Sequence, residues 1–174
     1  MKRKSSHLAF VRRFNIAGPN TRIMAIVSDE EFTPTQTMSL ITNISLEDAK
    51  ILALWINTTM HVLQMVVERV ETEGSYMELP EWAMKNLYII NPNTLSKKQR
   101  ERTLQVFAET SNIKFPSIIE QLEYNFPPRR KIDELFIDIL GLDVHIKELH
   151  EVTLREIMKL KSLIKSSDDV YFQK

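Results

Sequence analysis

Apolar and polar positions divide this chain into a strand-like beginning and a helical remainder. Residues 8–16, 22–27 and 36–44 are short runs rich in β-branched and apolar side chains, which suit pleated, half-buried strands. Gly18-Pro19-Asn20 punctuates the first two runs, and a hairpin is expected there. Residues 29–34 read as a polar loop. In the third run Thr37, Ser39 and Ile41 fall on one face and Met38, Leu40 and Thr42 on the other, the two-residue period of a strand. Ser45-x-x-Asp48 then forms a capping box ahead of one long helix over residues 46–70. Its middle is apolar nearly all round, which predicts burial on several sides. Residues 71–75 end it, with a turn at Gly74.

Residues 76–79 suit a short strand, and Pro80-Glu81-Trp82 opens a helical turn, because proline fits the first helical position. Residues 87–90 read as a compact strand stopped by Asn91-Pro92-Asn93. From there the pattern is helical. Ser96-x-x-Gln99 is a second capping box, opening a helix to about residue 111. Pro116 starts a short helix to about residue 124, Pro127-Pro128 breaks it, and helices over 129–140 and 143–166 follow. Gly141 suits the left-handed residue that closes a helix, and Asp143 suits the cap of the next. Leu142, Ile146, Leu149, Thr153, Ile157, Leu160 and Ile164 form a stripe stepping by three or four. The stripe suits packing on its own domain or pairing with a second copy. Residues 167–174 read as frayed.

The expected fold is α+β. A small N-terminal antiparallel or mixed β lobe packs on a long buried helix, residues 1–93, and a helical region follows, residues 94–174. At 174 residues, 43% hydrophobic and 26% charged, the composition is that of a globular protein with a real core. Gly18, Gly74 and Gly141 lie too far apart to write a glycine-rich phosphate loop. There is no cysteine, which removes disulfides, thiol catalysis and thiolate metal sites. His7, His61, His145 and His150 show no metal-ligand spacing, so no metal or cofactor is expected. Residues 51–67 are uncharged, but they include Asn57, His61 and Gln64 and fall short of the roughly 20 residues needed to span a bilayer. The start MKRKSSHLAF lacks the apolar segment of a signal peptide. A cytoplasmic protein with no membrane partner is expected.

The net charge is zero, yet it is unevenly spread. Residues 1–22 carry six Lys or Arg and no acid, and residues 97–131 carry eight basic against four acidic groups. Between them, residues 23–96 carry three basic and ten acidic groups. Two basic blocks make a phosphate-facing surface if folding joins them.

Four stretches then appear in order. LAFVRRFNI is followed by TRIMAIVSDEEF and PTQTMSLITN. DAKILALWINTT comes next, with its aliphatic-Trp-aliphatic-Asn-Thr-Thr run, then ETEGSYMELPEWAMKNLYIINP. PPRRKIDELFIDILGLD is last. Together, over about residues 8–143, they resemble the C-terminal target-recognition region of adenine-specific DNA methyltransferases of restriction-modification systems. That family's catalytic domain binds S-adenosylmethionine through a glycine-rich loop and holds adenine with an Asn/Asp-Pro-Pro-aromatic motif. Neither occurs here: Asn125-Phe126-Pro127-Pro128 has the letters in the wrong order. The resemblance implies a recognition half with no catalytic residues of its own. Its partners would be duplex DNA and a separate methyltransferase or restriction catalytic domain or subunit, which would flip and methylate the base.

Under that reading Arg12, Arg13, Arg22, Lys97, Lys98, Arg100, Arg129 and Arg130 are the candidate phosphate contacts. Thr35, Gln36 and Thr37, at a loop-to-strand junction, are the candidate base readers, since Gln suits adenine. Arg12 and Arg13 are adjacent, so only one can face a shared DNA surface. The alternative is a non-catalytic scaffold that dimerises or docks a catalytic subunit through its C-terminal helices. The zero net charge favours it.

Overall fold

The computed structural model describes residues 4–71 and 76–171, except for the side chains of Glu71 and residues 162–171. The turn expected at Gly74 lies outside the described residues. The fold is α+β, strand-rich first and helical afterwards. Strands β1 (Ser6–Val11), β2 (Arg13–Asn15), β3 (Ala25–Phe32) and β4 (Met38–Ile41) lead into helices α1 (Leu46–Ile56) and α2 (Thr59–Glu68). Strands β5 (Val70–Glu71) and β6 (Tyr76–Glu78), helix α3 (Glu81–Met84) and a 3-10 turn at Pro92–Thr94 follow. Helices α4 (Lys97–Thr110), α5 (Ile118–Glu123), α6 (Pro127–Leu140) and α7 (Ile146–Tyr171) complete the chain.

Two small antiparallel sheets form, ordered β3-β1-β4 and β2-β6-β5. The first apolar run is therefore two strands in two sheets. Its first half does pair antiparallel with the second run, Leu8 opposite Val27 and Phe10 opposite Ala25, but through a longer connection that holds β2 and the Gly18 turn rather than a tight hairpin. Arg12 is the point of exchange. Its N–H and that of Arg13 both donate to the Thr37 carbonyl, at 3.0 and 3.2 Å, while its own carbonyl accepts from Leu79 N–H at 2.9 Å. Strand β3 runs on to Phe32 through the acids expected in a loop. It is an edge strand, and Asp29, Glu30 and Glu31 stay exposed on it, as edge strands commonly keep charge.

The single long helix is not observed. Helices α1 and α2 meet at a 69° bend. Short polar side chains compete with the helix backbone at the joint. Thr58 is extended, and its Oγ1 accepts from His61 N–H at 3.1 Å while donating to the Trp55 carbonyl at 2.7 Å. Asn57 turns its amide to the start of β3, accepting from Met24 N–H at 2.6 Å and donating to the Ala25 carbonyl at 3.0 Å. Among the described residues no single helix is long and apolar enough to cross a membrane.

Residues 87–90 are not a strand, since no neighbouring strand meets them. Side chains hold this segment instead: Trp55 Nε1–H donates to the Tyr88 carbonyl at 3.0 Å, and Gln64 Oε1 accepts from Tyr88 N–H at 2.8 Å. Both halves of the Ser96/Gln99 capping box are present. Gly141 closes α6 with a φ of 63°. Helix α7 starts at Ile146, three residues after Asp143, so Asp143 is not its cap, and the helix continues to Tyr171 beyond the expected end. A Gly141→Ala substitution meets no steric obstacle, yet the left-handed backbone disfavours it. It is expected to lower unfolding stability by about 1 kcal/mol in denaturant titration.

One core runs through both halves of the chain, from Leu8 to Leu160. Trp55 packs edge-to-face on Phe136 with ring centroids 5.3 Å apart. Leu149, Thr153, Ile157 and Leu160 of the α7 stripe are buried against this core. That part of the stripe is used internally, so Ile157 and Leu160 cannot also pair with a second copy. Leu142 stays exposed, and the Ile164 side chain lies outside the described residues.

Candidate nucleic-acid interface

The two most distinctive motifs of the resemblance meet inside the molecule. Asn57-Thr58-Thr59 lies at the α1–α2 joint, and Arg129 to Asp133 occupies the first turns of α6. Asp133 is wholly buried and accepts from Thr59 N–H at 2.7 Å and from the Thr59 hydroxyl at 2.6 Å. It thereby satisfies an otherwise orphaned amide at the start of α2. His150 Nε2, from α7, lies 2.8 Å from the same carboxylate.

Arg129 is 1% exposed. Its Nε–H donates to Gln121 Oε1 at 2.9 Å, and Nη1 bonds the Asn57 carbonyl. Gln121 passes the link on, donating to the carbonyls of Arg22 at 2.7 Å and Pro116 at 2.6 Å. Burial pushes the Arg129 guanidinium below its ordinary pKa, and the Asp133 charge opposes that shift. Arg129 is a structural cation at the meeting point of α1, α5 and α6. Its expected role as a phosphate contact is corrected on this ground: the guanidinium is enclosed by protein.

Most of the other expected phosphate contacts already face a carboxylate of the same chain. Arg13 Nε and Nη2 both reach one oxygen, Oε1, of Glu78, its cross-strand partner, at 2.9 and 2.7 Å. Arg130 pairs with Glu134 at 3.1 Å, one helical turn on. Lys97 is fully projecting and lies 3.9 Å from Glu101, and Lys98 is exposed beside it. Arg100 folds onto Asp48 at 2.7 Å and Glu47 at 3.2 Å, tying α4 to the first turn of α1. The hydrogen bond to Asp48 is the main reason the Arg100 pKa lies above its ordinary value. Arg22 lines a separate cavity.

Arg12 is different. It lines a cleft of about 740 Å³ together with Thr35 and Gln36 from the loop before β4. Lys4 and Lys85 complete its basic rim, and Glu81 is its one carboxylate. Phe10, Met38, Leu40 and Met84 form the apolar part. Arg12 Nε is buried without a hydrogen-bond partner. Glu81 is held by Lys85 at 3.0 Å, and that hydrogen bond keeps its carboxyl below the usual range. Thr37 does not line the cleft. Its hydroxyl lies 2.9 Å from that of Thr35, and its carbonyl holds the Arg12 and Arg13 amides, so it shapes the loop. Sequence reasoning missed Lys4 and Lys85. Lys4 belongs to the basic N-terminal block, which was the available signal, whereas Lys85 sits within the acidic segment and carried none.

His61 is the second buried histidine. Burial lowers its pKa from 6.5 to about 4, against the opposing effect of a hydrogen bond with the Tyr88 backbone. The unfolded chain therefore takes up the proton first as pH falls. The fold keeps its full stability above pH 6.5 and is expected to lose up to about 3 kcal/mol between pH 6.5 and 4 from this group. Urea unfolding across that range checks this: the pH slope should flatten in His61→Gln. Among the described residues no group of three His, Asp or Glu side chains is placed to hold a metal ion.

Comparison with known proteins yields no match of this chain to a family model, a curated protein or a solved structure.

Proposed function

We propose that this chain is a DNA target-recognition module of an adenine-methylating restriction-modification system. It would bind duplex DNA and supply sequence specificity to a catalytic domain or subunit carried elsewhere. The observation that carries this reading is the cleft that places Arg12, Lys4 and Lys85 around Thr35 and Gln36. With Lys85 paired to Glu81, the cleft keeps an excess of two positive charges, which favours a phosphate backbone that sets register without reading sequence. The Gln36 amide is exposed on the neighbouring loop, and a glutamine side chain can bond the N6 and N7 edge of adenine in the major groove. The ordered sequence resemblance, which singles out Arg12, Thr35 and Gln36, is the other ground for the reading.

The test is fluorescence anisotropy of a labelled random-sequence duplex titrated with the full chain. Binding that weakens steeply with added salt is the expected result. No binding at low salt would contradict the proposal.

The scaffold reading is favoured by one specific feature. An apolar groove of about 390 Å³ lies between α2 and the end of α6, lined by Met60, Leu63, Val67, Tyr88, Leu140 and Leu142. Val67 and Tyr88 are largely exposed there. Large exposed apolar patches mark interaction surfaces. If the occupant is a second copy of the chain, light scattering will report a dimer that Val67→Glu dissociates; a wild-type monomer removes this version.

A further inference from the structure

A second cavity, of about 330 Å³, opens between the start of β3, α1 and α4 and shares no lining residue with the basic cleft. Its walls are apolar: Leu54, Phe107, Phe115 and Ile132 are among them. Ile26 and Ile113 line it while remaining more than a third exposed, so part of its apolar surface faces solvent.

The neutral polar groups in this cavity are already engaged. The Asn57 amide bonds Met24, Ala25 and Ala53. The Thr110 hydroxyl donates to the Val106 carbonyl at 2.8 Å, and the Ser111 hydroxyl bonds the Ala108 carbonyl at 3.4 Å. The two cations are not. Arg22 Nε is buried with no hydrogen-bond partner. Its electrostatic neighbour, Glu120, makes no hydrogen bond to it: Glu120 Oε2 accepts from the Ser117 amide at 2.9 Å and hydroxyl at 2.6 Å. Lys114 makes no ion pair among the described residues.

An apolar hollow edged by a half-buried arginine whose Nε lacks a partner, and by the exposed ammonium of Lys114, is complementary to an apolar body bearing one anionic group. Its volume lies at the small end of the range for small-molecule sites, about 300–1,000 Å³. We propose that this cavity binds a small amphipathic carboxylate, of the medium-chain or aryl class. The tail would lie against Leu54, Phe107 and Ile132, and the carboxylate would meet Arg22 and Lys114. The proposal is independent of DNA recognition.

Isothermal calorimetry of the full chain with octanoate, and with octanol as its neutral counterpart, tests it. One saturable octanoate site is expected, with octanol about tenfold weaker or more because it lacks the charge-assisted contacts. Arg22→Gln with Lys114→Gln should weaken octanoate by about tenfold. Ser111→Trp, at an exposed lining position, should fill the cavity and abolish binding while circular dichroism stays unchanged. The proposal is overturned by no saturable octanoate binding up to about 10 mM, a range that still detects the weakest specific sites. Equal affinity for octanol, or variants that bind like the wild type, would overturn it as well.

Discussion

Asp133→Ala is expected to destabilise the fold by about 3–5 kcal/mol, enough to unfold much of a marginally stable domain. The carboxylate is wholly buried and serves three groups at once: the Thr59 amide, the Thr59 hydroxyl and His150. Truncation strands all three in the interior, and each stranded group costs its full desolvation penalty. Arg129, one turn earlier on the same helix face, is left as well without the charge that opposes its burial. Replacing Thr59 with Val removes the hydroxyl but keeps the amide bond to Asp133, so the loss should be near 1–2 kcal/mol. Urea unfolding of Asp133→Ala, Thr59→Val and the double variant measures the coupling. The double variant should lose less than the sum of the singles, because one group cannot be stranded twice. Additive losses would show that the pair does not act as a unit.

Replacing Lys4, Arg12 and Lys85 together with Gln is expected to weaken duplex binding by on the order of 100-fold near 0.1 M salt. Each neutralised phosphate releases close to one counterion, and Lys85 contributes less than the other two because it faces Glu81, so the change in log affinity is about two units at that salt. The fold should tolerate the change. Lys4 and Lys85 lie on the surface, and the Arg12 backbone, which carries the exchange between sheets, is untouched. The matching control is Arg13, Arg100 and Arg130 replaced by Gln. These cations already face Glu78, Asp48 and Glu134, and their loss should change binding severalfold at most. If the control variant loses as much as the first, the phosphate contacts lie outside the cleft.

Local chemistry was legible in the residues, and partnerships across the fold were not. The Ser96/Gln99 box and the Ser45 cap act within three residues, and Gly141 closes its own helix, so each appears where its neighbours predict it. The break at Asn57 depends on β3 offering Met24 and Ala25 to its amide, a partner 32 residues or more away. The apolar content of residues 46–70 has no periodic signal for that bend. Residues 87–90 show the same limit: an apolar run is a strand only if another strand meets it, and here Trp55 and Gln64 do.

Arg129 is instructive for the site. The resemblance pairs it with Arg130 as a phosphate contact, yet it lies three residues before Ile132 and seven before Phe136. That spacing places it on the buried stripe of α6 and Arg130 off it. The stripe was the signal that distinguishes a structural arginine from a surface one. Thr35 and Gln36 stand out by position and chemistry and Arg12 as a candidate phosphate contact, and the β1–β4 pairing brings the three to one cleft. Lys85 joined them through β6 and α3, a connection that only the second sheet supplies.

The most direct measurement is the salt dependence of duplex affinity, compared between the wild type and the Lys4/Arg12/Lys85 triple Gln variant. The plot of log affinity against log salt should be steep for the wild type and shallower by about 2 for the variant, at close to 0.9 per phosphate for Lys4 and Arg12 and less for Lys85, which faces Glu81. Parallel lines, or a wild type whose affinity ignores salt, would contradict DNA recognition through this cleft.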